Sequence, residues 1–231
     1  MLYITGDTHS DFHRINLLCH QLDTSVDDIL IILGDAGINY DGPNLDVFLK
    51  KELSKLPITL FCIHGNHEQR PETIPTYEQK TWNGGTVYLE PQFPNLLFAK
   101  DGEVFELYGK KYIVIGGAYS VDKHFRIEDG IAWWSDEQPS EIIKAYVELR
   151  LEEHNWKVDY VLSHTCPLKY EPKENFLDFI DQSTIDQSTE EWLDDIENKL
   201  DYERWCCGHY HTDKEIDKMR FFFNDIIRLN K

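Results

Sequence analysis

Behind the apolar run Phe61-Cys62-Ile63, Gly65 lets the chain turn, and Asn66, His67 and Glu68 follow. These side chains can bind a metal, move a proton or hydrogen-bond. Taken alone, the stretch fits an ordinary polar turn after a buried strand as well as it fits a reactive site. Groups of the same kind recur along the chain. Asp7 and His9 close the first apolar run, and Asp35 follows Gly34 after Ile29-Leu30-Ile31-Ile32-Leu33. His164 follows Tyr160-Val161-Leu162-Ser163, and His209 and His211 follow Trp205-Cys206-Cys207-Gly208. Carboxylate, amide oxygen and imidazole nitrogen are donors that divalent Mn, Fe or Zn accept, and no cysteine is among them. Residues two apart at a strand end project to the same side, so Asp7 with His9, and His209 with His211, can each offer two groups to one cleft.

Those residues need strands to carry them. Continuous apolar strands are expected over residues 1–6, 29–33 and 58–63, and further ones over 159–162 and 204–207. Such strands suit a sheet covered on both faces, with its site at the carboxyl ends. Four helices are expected between them. Ser10 or Asp11 caps the first, whose stripe is Ile15, Leu18, Cys19 and Leu22. Leu45, Phe48, Leu49, Leu53 and Leu56 mark the second, which Pro57 ends. The third covers residues 140–154 with Ile142, Ile143, Tyr146 and Leu149 inward. The capping-box pair Ser188 and Glu191 opens the fourth, which carries Trp192, Ile196 and Leu200.

Short strands at 86–89, 96–99, 103–108 and 112–115, separated by turn residues, suggest a second and mainly antiparallel sheet. Residues 167–189 read as irregular and contain a tandem duplication, Ile180-Asp181-Gln182-Ser183-Thr184 followed by Ile185-Asp186-Gln187-Ser188-Thr189. Residues 221–229 read as a hairpin turning at Asn224-Asp225.

The chain of 231 residues is expected to form one domain over residues 1–231. A formal charge of −19 argues against non-specific binding to nucleic acid or to an anionic membrane, because counterion release needs a basic face. It leaves phosphate substrates open, since bound divalent cations invert the local potential. No apolar run approaches the roughly 18 residues of a membrane span. The amino terminus has no basic region and does not resemble a secretory signal, so a cytoplasmic chain is expected. The five cysteines include the adjacent pair Cys206 and Cys207 and no C-x-x-C, and they read as reduced and buried.

In order, the motifs are Asp7-Thr8-His9, Gly34-Asp35, Gly65-Asn66-His67-Glu68, His164 after its strand, and Gly208-His209-Tyr210-His211. This series resembles the calcineurin-like metallophosphoesterase superfamily over nearly the whole chain. The resemblance implies an α/β fold, a four-layer α-β-β-α sandwich of two mixed sheets flanked by helices, with a two-metal site between the sheet ends. It implies one divalent ion held by Asp7, His9, Asp35 and His211. A second would be held by Asp35, Asn66, His164 and His209, with Asp35 bridging. Mn is the first expectation, and Fe or Zn the others. Two such cations about 3.5 to 4 Å apart acidify a bridging water, bind phosphoryl oxygens and neutralise charge as the hydroxide attacks. His67 stands in the family's non-ligand histidine position, which implies that it donates a proton to the leaving oxygen or stabilises its charge.

Some members extend Gly-Asp to Gly-Asp-x-x-Asp-Arg-Gly, among them the protein serine/threonine phosphatases and the symmetric dinucleoside tetraphosphatases. Here Ile38 and Asn39 stand where that Asp and Arg would be. A phosphate-binding arginine must then come from elsewhere, and Arg70 and Arg126 are the candidates. Substrate recognition is expected in residues 117–134, which carry Tyr119, Asp122, Lys123, His124, Arg126, Trp133 and Trp134. Alternatively, both tryptophans pack the 140–154 helix onto the sheet. The expected activity is hydrolysis of a phosphate monoester or diester, a small nucleotide or another small phosphate ester. A non-catalytic scaffold, a protein phosphatase and a nuclease are the alternatives.

Overall fold

In the computed structural model, which describes residues 1–177 and 179–229, the first half of the chain runs β1 (Leu2–Thr5), α1 (His13–Leu22), β2 (Ile29–Ile32), α2 (Pro43–Leu53), β3 (Thr59–Cys62), β4 (Glu78–Trp82), β5 (Gly85–Leu89) and β6 (Leu96–Ala99). The second half runs β7 (Val104–Leu107), β8 (Lys110–Ile115), α3 (Lys123–Asp129), α4 (Glu141–Glu153), β9 (Tyr160–Ser163), α5 (Ser188–Glu197), β10 (Arg204–Cys207), β11 (Lys214–Ile216), β12 (Met219–Phe221) and β13 (Ile227–Arg228). Two mixed sheets result, ordered β13-β1-β2-β3-β6-β5-β4 and β11-β12-β10-β9-β8-β7. Neighbours β1, β2 and β3 are parallel, as are β8, β9 and β10, so their carboxyl ends gather at one edge of each sheet.

Alternation along the strands builds the layers. Ile29 and Ile31 point into the core between the sheets, while Leu30 and Ile32 point outward to a second core shared with Ile15 and Cys19 of α1 and Leu53 of α2. On the other side Val161 and Trp205 pack under Val147 and Leu151 of α4 and Leu193 and Ile196 of α5. The order of layers is therefore helices, sheet, sheet, helices. Each fully buried Ile or Leu contributes roughly 1.5 to 3 kcal/mol by leaving water, so the strands that end at the site are held firmly. Cys206 faces the inter-sheet core and Cys207 the outer one, which separates the adjacent thiols. All five cysteines are free and buried.

Several local expectations need correction. The strands at 86–89 and 96–99 belong to the first sheet, because β6 pairs in parallel with β3 and carries β5 and β4 beyond it. The second sheet is built around parallel β8, β9, β10 and β12 and is not mainly antiparallel. Residues 221–229 are no hairpin: β12 lies beside β10 in one sheet and β13 beside β1 in the other. Asp213 accepts the amides of Phe223, Asn224 and Asp225 and holds the crossing between the sheets.

The helix faces are also turned from expectation. Leu45 and Phe48 of α2 are exposed, and Asp46 and Lys50 are buried in their place. Tyr40 N donates to Asp46, and Lys50 pairs with Glu90 at 2.8 Å. Ile142 and Leu149 of α4 face solvent, and Val147 and Leu151, with Ile143 as expected beside them, make the contact. Neither expected cap forms: α1 starts after Phe12, and α5 after Gln187. Asp11 and Asp186 instead accept the His13 and Ser188 amides from just outside each helix.

Candidate metal centre

Five strand ends meet between the two sheets. Asp7 and His9 follow β1, Asp35 follows β2, Asn66 follows β3, His164 follows β9, and His209 and His211 follow β10. His9, Asp35, His209 and His211 all have positive φ, at 43°, 46°, 65° and 48°. That conformation is strained for residues with a Cβ and persists only where surrounding structure enforces it. Glycine is required at two of the turns. A Cβ on Gly34, whose φ is 92°, would fall on the His164 ring, and one on Gly65 would fall on the Asp35 carboxylate.

Two clusters share one carboxylate. In the first, His9 Nε2 lies 2.9 Å from His211 Nε2, and the two stand 3.7 and 3.4 Å from Asp7 Oδ2. Asp35 Oδ2 is 4.0 Å from His9 Nε2. In the second, His164 Nε2 lies 2.8 Å from Asn66 Oδ1 and 3.6 Å from the same Asp35 Oδ2. His209 Nδ1 is 3.1 Å from Asn66 Oδ1.

Outer contacts fix what each group presents inward. The Leu33 carbonyl can only accept, so His164 Nδ1 donates to it at 2.8 Å and Nε2 is turned to the cluster. Asn66 Nδ2 donates to Ser120 Oγ at 2.9 Å, which aims Oδ1 at the imidazoles. Asp7 Oδ1 accepts the His209 amide at 3.0 Å, while Asp7 Oδ2 is buried without any hydrogen-bond partner. Imidazole nitrogens, an amide oxygen and a bare carboxylate oxygen converging there suit divalent cations, and the oxygen and nitrogen set fits Mn, Fe or Zn.

The charges agree with this arrangement. Burial pushes the Asp35 carboxyl up, but His164 beside it, with His67 and His9, outweighs burial and holds it well below the ordinary range. Burial alone lowers His164, yet Asp35 beside it outweighs burial and carries it up to about 9. His209 is pushed down to about 3 by burial and stays neutral, as a ligand nitrogen must.

A profile of the calcineurin-like phosphoesterase family matches residues 2–213, a span that includes every residue of both clusters. The chain belongs to the calcineurin-like phosphoesterase family. The family binds divalent metals, in agreement with the donor set. The crystal structure of phosphopantetheinyl hydrolase from Mycobacterium tuberculosis is 14% identical, with a TM-score of 0.48, over 96% of this chain and 87% of that one. A second crystal structure is 13% identical, with a TM-score of 0.50, over 96% and 88%. The second likeness concerns the fold alone. No curated protein matches the chain.

His67 sits beside the clusters. Its backbone N–H donates to Asp35 Oδ1 at 2.8 Å, and its Nδ1 lies 2.9 Å from Arg126 Nη2. A guanidinium only donates, so Nδ1 accepts and the ring proton belongs on Nε2, which faces Asp122 Oδ1 at 3.6 Å. Arg126 is itself held by Asp122 Oδ2 at 2.8 Å, Tyr40 Oη at 3.1 Å and the Ala132 carbonyl at 3.1 Å. Burial raises the Asp122 carboxyl, but His67 and Arg126 outweigh it and hold it far below the usual range. The Asp and Arg that other family members place after Gly-Asp have no counterpart at their own positions. Ile38 is core, and Asn39 Oδ1 accepts from Tyr77 Oη at 3.0 Å. Asp122 and Arg126 stand one helical turn apart in and before α3, a spacing that could have paired them from sequence. Their position against His67 could not be read there.

Arg70 does not reach the site, which corrects its assignment to phosphate. Its side chain is 4% exposed and is spent on Asp101 Oδ2 at 2.7 Å and the Asp136 carbonyl at 2.7 Å. Arg70→Ala leaves Asp101 as a buried, unpaired charge. A loss of about 3 to 5 kcal/mol is expected in urea unfolding, without a change in KM for any phosphate ester.

A cleft of about 460 Å³ opens beside the clusters, and Asp35, Asn66, His67, His209 and His211 form its floor. Of the residues expected to recognise substrate in the 117–134 segment, only Tyr119 and Asp122 line it. Arg126 acts on the site through His67. Trp133 is engaged by Glu137 and Lys123, and Trp134 by Tyr40. The opposite wall comes from residues 171–190, which the sequence reading left without a role.

Glu190 closes that wall, accepting from Thr165 Oγ1 at 2.6 Å. Burial lifts its carboxyl from the ordinary 4.5 to about 7. Between those values the folded protein holds a proton that the unfolded chain releases. The Glu190 contribution to stability is therefore fully present below pH 4.5 and is lost as pH rises toward 7. Glu190→Gln is expected to be more stable than wild type at pH 8 by about 2 kcal/mol, with the gap closing toward pH 5. Urea midpoints at the two pH values measure it.

Proposed function

We propose that the protein hydrolyses a small phosphate monoester or diester with two divalent cations, Mn foremost and Fe or Zn as the alternatives. The observation that carries this reading is the single oxygen, Asp35 Oδ2, turned toward both clusters of donors. Asp7, His9, Asp35 and His211 would hold one cation, and Asp35, Asn66, His164 and His209 the other. Bound there, the pair supplies Lewis acidity, which acidifies a water and neutralises the phosphoryl oxygens.

The remaining work falls to the chain. Asp35 would hold both cations, and its Oδ1 accepts the His67 amide, so His67 and the cations would share one rigid support. His67 carries its proton on Nε2 and donates it as a hydrogen bond to the leaving oxygen, stabilising the charge that develops there, with Arg126 holding the tautomer and Asp122 beside Nε2. Ser120 turns the Asn66 oxygen inward. A small ester suits a cleft of this size, whereas a net charge of −19 gives nucleic acid no basic face to bind. No helix among the described residues is long and apolar enough to cross a membrane. The five unpaired cysteines support a reducing, cytoplasmic setting.

Turnover of bis-p-nitrophenyl phosphate and p-nitrophenyl phosphate, with Mn, Fe or Zn added to chelator-treated protein, tests the proposal. Hydrolysis that depends on added metal is expected. Absence of turnover with every one of the three metals contradicts it.

A further inference from the structure

The cleft beside the clusters differs in character from its floor. Its walls carry Tyr119, Val121, Phe176, Leu177, Ile180 and Ile185, contributed from the segment after β8 on one side and from residues 171–190 on the other. The tandem duplication is built into the second wall: Ile180 and Ile185, the first residue of each copy, and Gln182 and Gln187, the third, all line the cleft. Among the described residues no lysine or arginine lines it. The cations nearby are engaged elsewhere, Arg126 with Asp122, Lys123 over the Tyr119 and Trp133 rings, and Arg70 with Asp101. The charged residues in the walls are acidic, namely Asp122, Glu171 and Glu190.

We infer that this cleft binds the organic group of the substrate, and that it selects an ester with one phosphate and an apolar, uncharged chain or ring. The inference rests on the reading above that the phosphate itself lies on the metal-holding floor. An apolar group gains by leaving water against the isoleucines, Phe176 and Leu177, and each buried methylene adds to affinity. A second phosphate group, by contrast, would bring close to two negative charges. It would lie among carboxylates with no cation to meet it. Nucleoside di- and triphosphates are thereby disfavoured, which narrows the class of small esters.

Phosphonates test this without turnover. Calorimetry on the Mn-loaded protein compares methylphosphonate, hexylphosphonate and hexane-1,6-bisphosphonate, which share one head group and differ only in what enters the cleft. Hexylphosphonate is expected to bind about thirtyfold more tightly than methylphosphonate, the equivalent of two or three buried methylenes. The second phosphonate is expected to cancel that gain. In the double variant Ile180→Asp, Ile185→Asp the preference for hexyl over methyl should fall to about unity. Both isoleucines are partly exposed, so a melting curve will show whether the variant is folded.

Equal affinity for the methyl and hexyl compounds, tighter binding of the bisphosphonate, or no binding of any of the three overturns the inference. If the preference is found while bis-p-nitrophenyl phosphate is not hydrolysed, the enzymatic reading fails and the cleft assignment stands. If hydrolysis is found without the preference, the inference fails alone.

Discussion

Asp35→Asn is expected to lower metal-dependent turnover at least about a thousandfold and to leave no more than one tightly held ion per chain. The carboxylate does three things at once. Its Oδ2 faces His9 in one cluster and His164 in the other, and its Oδ1 accepts the His67 amide. An amide side chain keeps one oxygen and supplies no charge. If that oxygen stays on the His67 amide, an NH₂ group faces both clusters, where it repels a cation. If the side chain flips, His67 loses its anchor. The ion-free protein should stay folded, because His164, which Asp35 holds protonated, can lose its proton once the carboxylate is gone and so leaves no buried unpaired charge. Metal analysis, turnover and a melting curve on the same preparation separate these effects. Two retained ions with wild-type turnover would remove Asp35 from the centre.

His67→Ala is expected to lower kcat by about 10² to 10³ while both ions remain bound, the range for loss of one donor to a developing oxyanion. Ion retention is the decisive part. His67 stands in a group with His9 and Asp35 whose donor atoms lie close enough to share a cation. Its Nδ1, however, is taken by Arg126, and its Nε2 faces Asp122. A variant that loses an ion would make His67 a ligand and not a proton donor. Arg126→Ala separates positioning from hydrogen-bond donation. It should lower kcat less than His67→Ala, leave KM nearly unchanged and alter the pH–rate profile, because Nδ1 is then free to take a proton, a change that a merely structural role would not produce. Arg126→Lys should recover little, because a lysine cannot reproduce the fork that reaches Asp122, Tyr40 and His67 together.

The strand-end residues were legible in the sequence because their positions depend on local facts. An apolar run ends, a glycine permits the turn, and parallel neighbours then bring such ends to one edge whatever the details of the rest. Asp7, Asp35, Asn66 and His164 all meet on that basis. Partner choice was not local. Nothing in residues 96–99 says that they pair with β3 and not with 112–115, and nothing in 221–229 says that the two halves enter different sheets. Helix faces failed for a related reason: the stripe was drawn through Leu45 and Phe48, yet Glu90 from another part of the chain lets Lys50 be buried instead. Arg70 was misread in the same way, since Asp101 lies far along the chain and turns an apparent phosphate ligand into a buried ion pair. The setting of His67 by Asp122 and Arg126 likewise joins β3 to α3 across the cleft. The duplicated pentapeptide had no meaning until its two isoleucines were seen in one wall.

Two cations sharing Asp35 are the centre of the proposed function. Manganese titration of chelator-treated protein, followed by equilibrium binding and electron paramagnetic resonance, tests this most directly. Two ions per chain with an exchange-coupled signal are predicted, because a carboxylate shared by both would couple them. A single ion per chain, two ions without coupling, or no binding at all would contradict it.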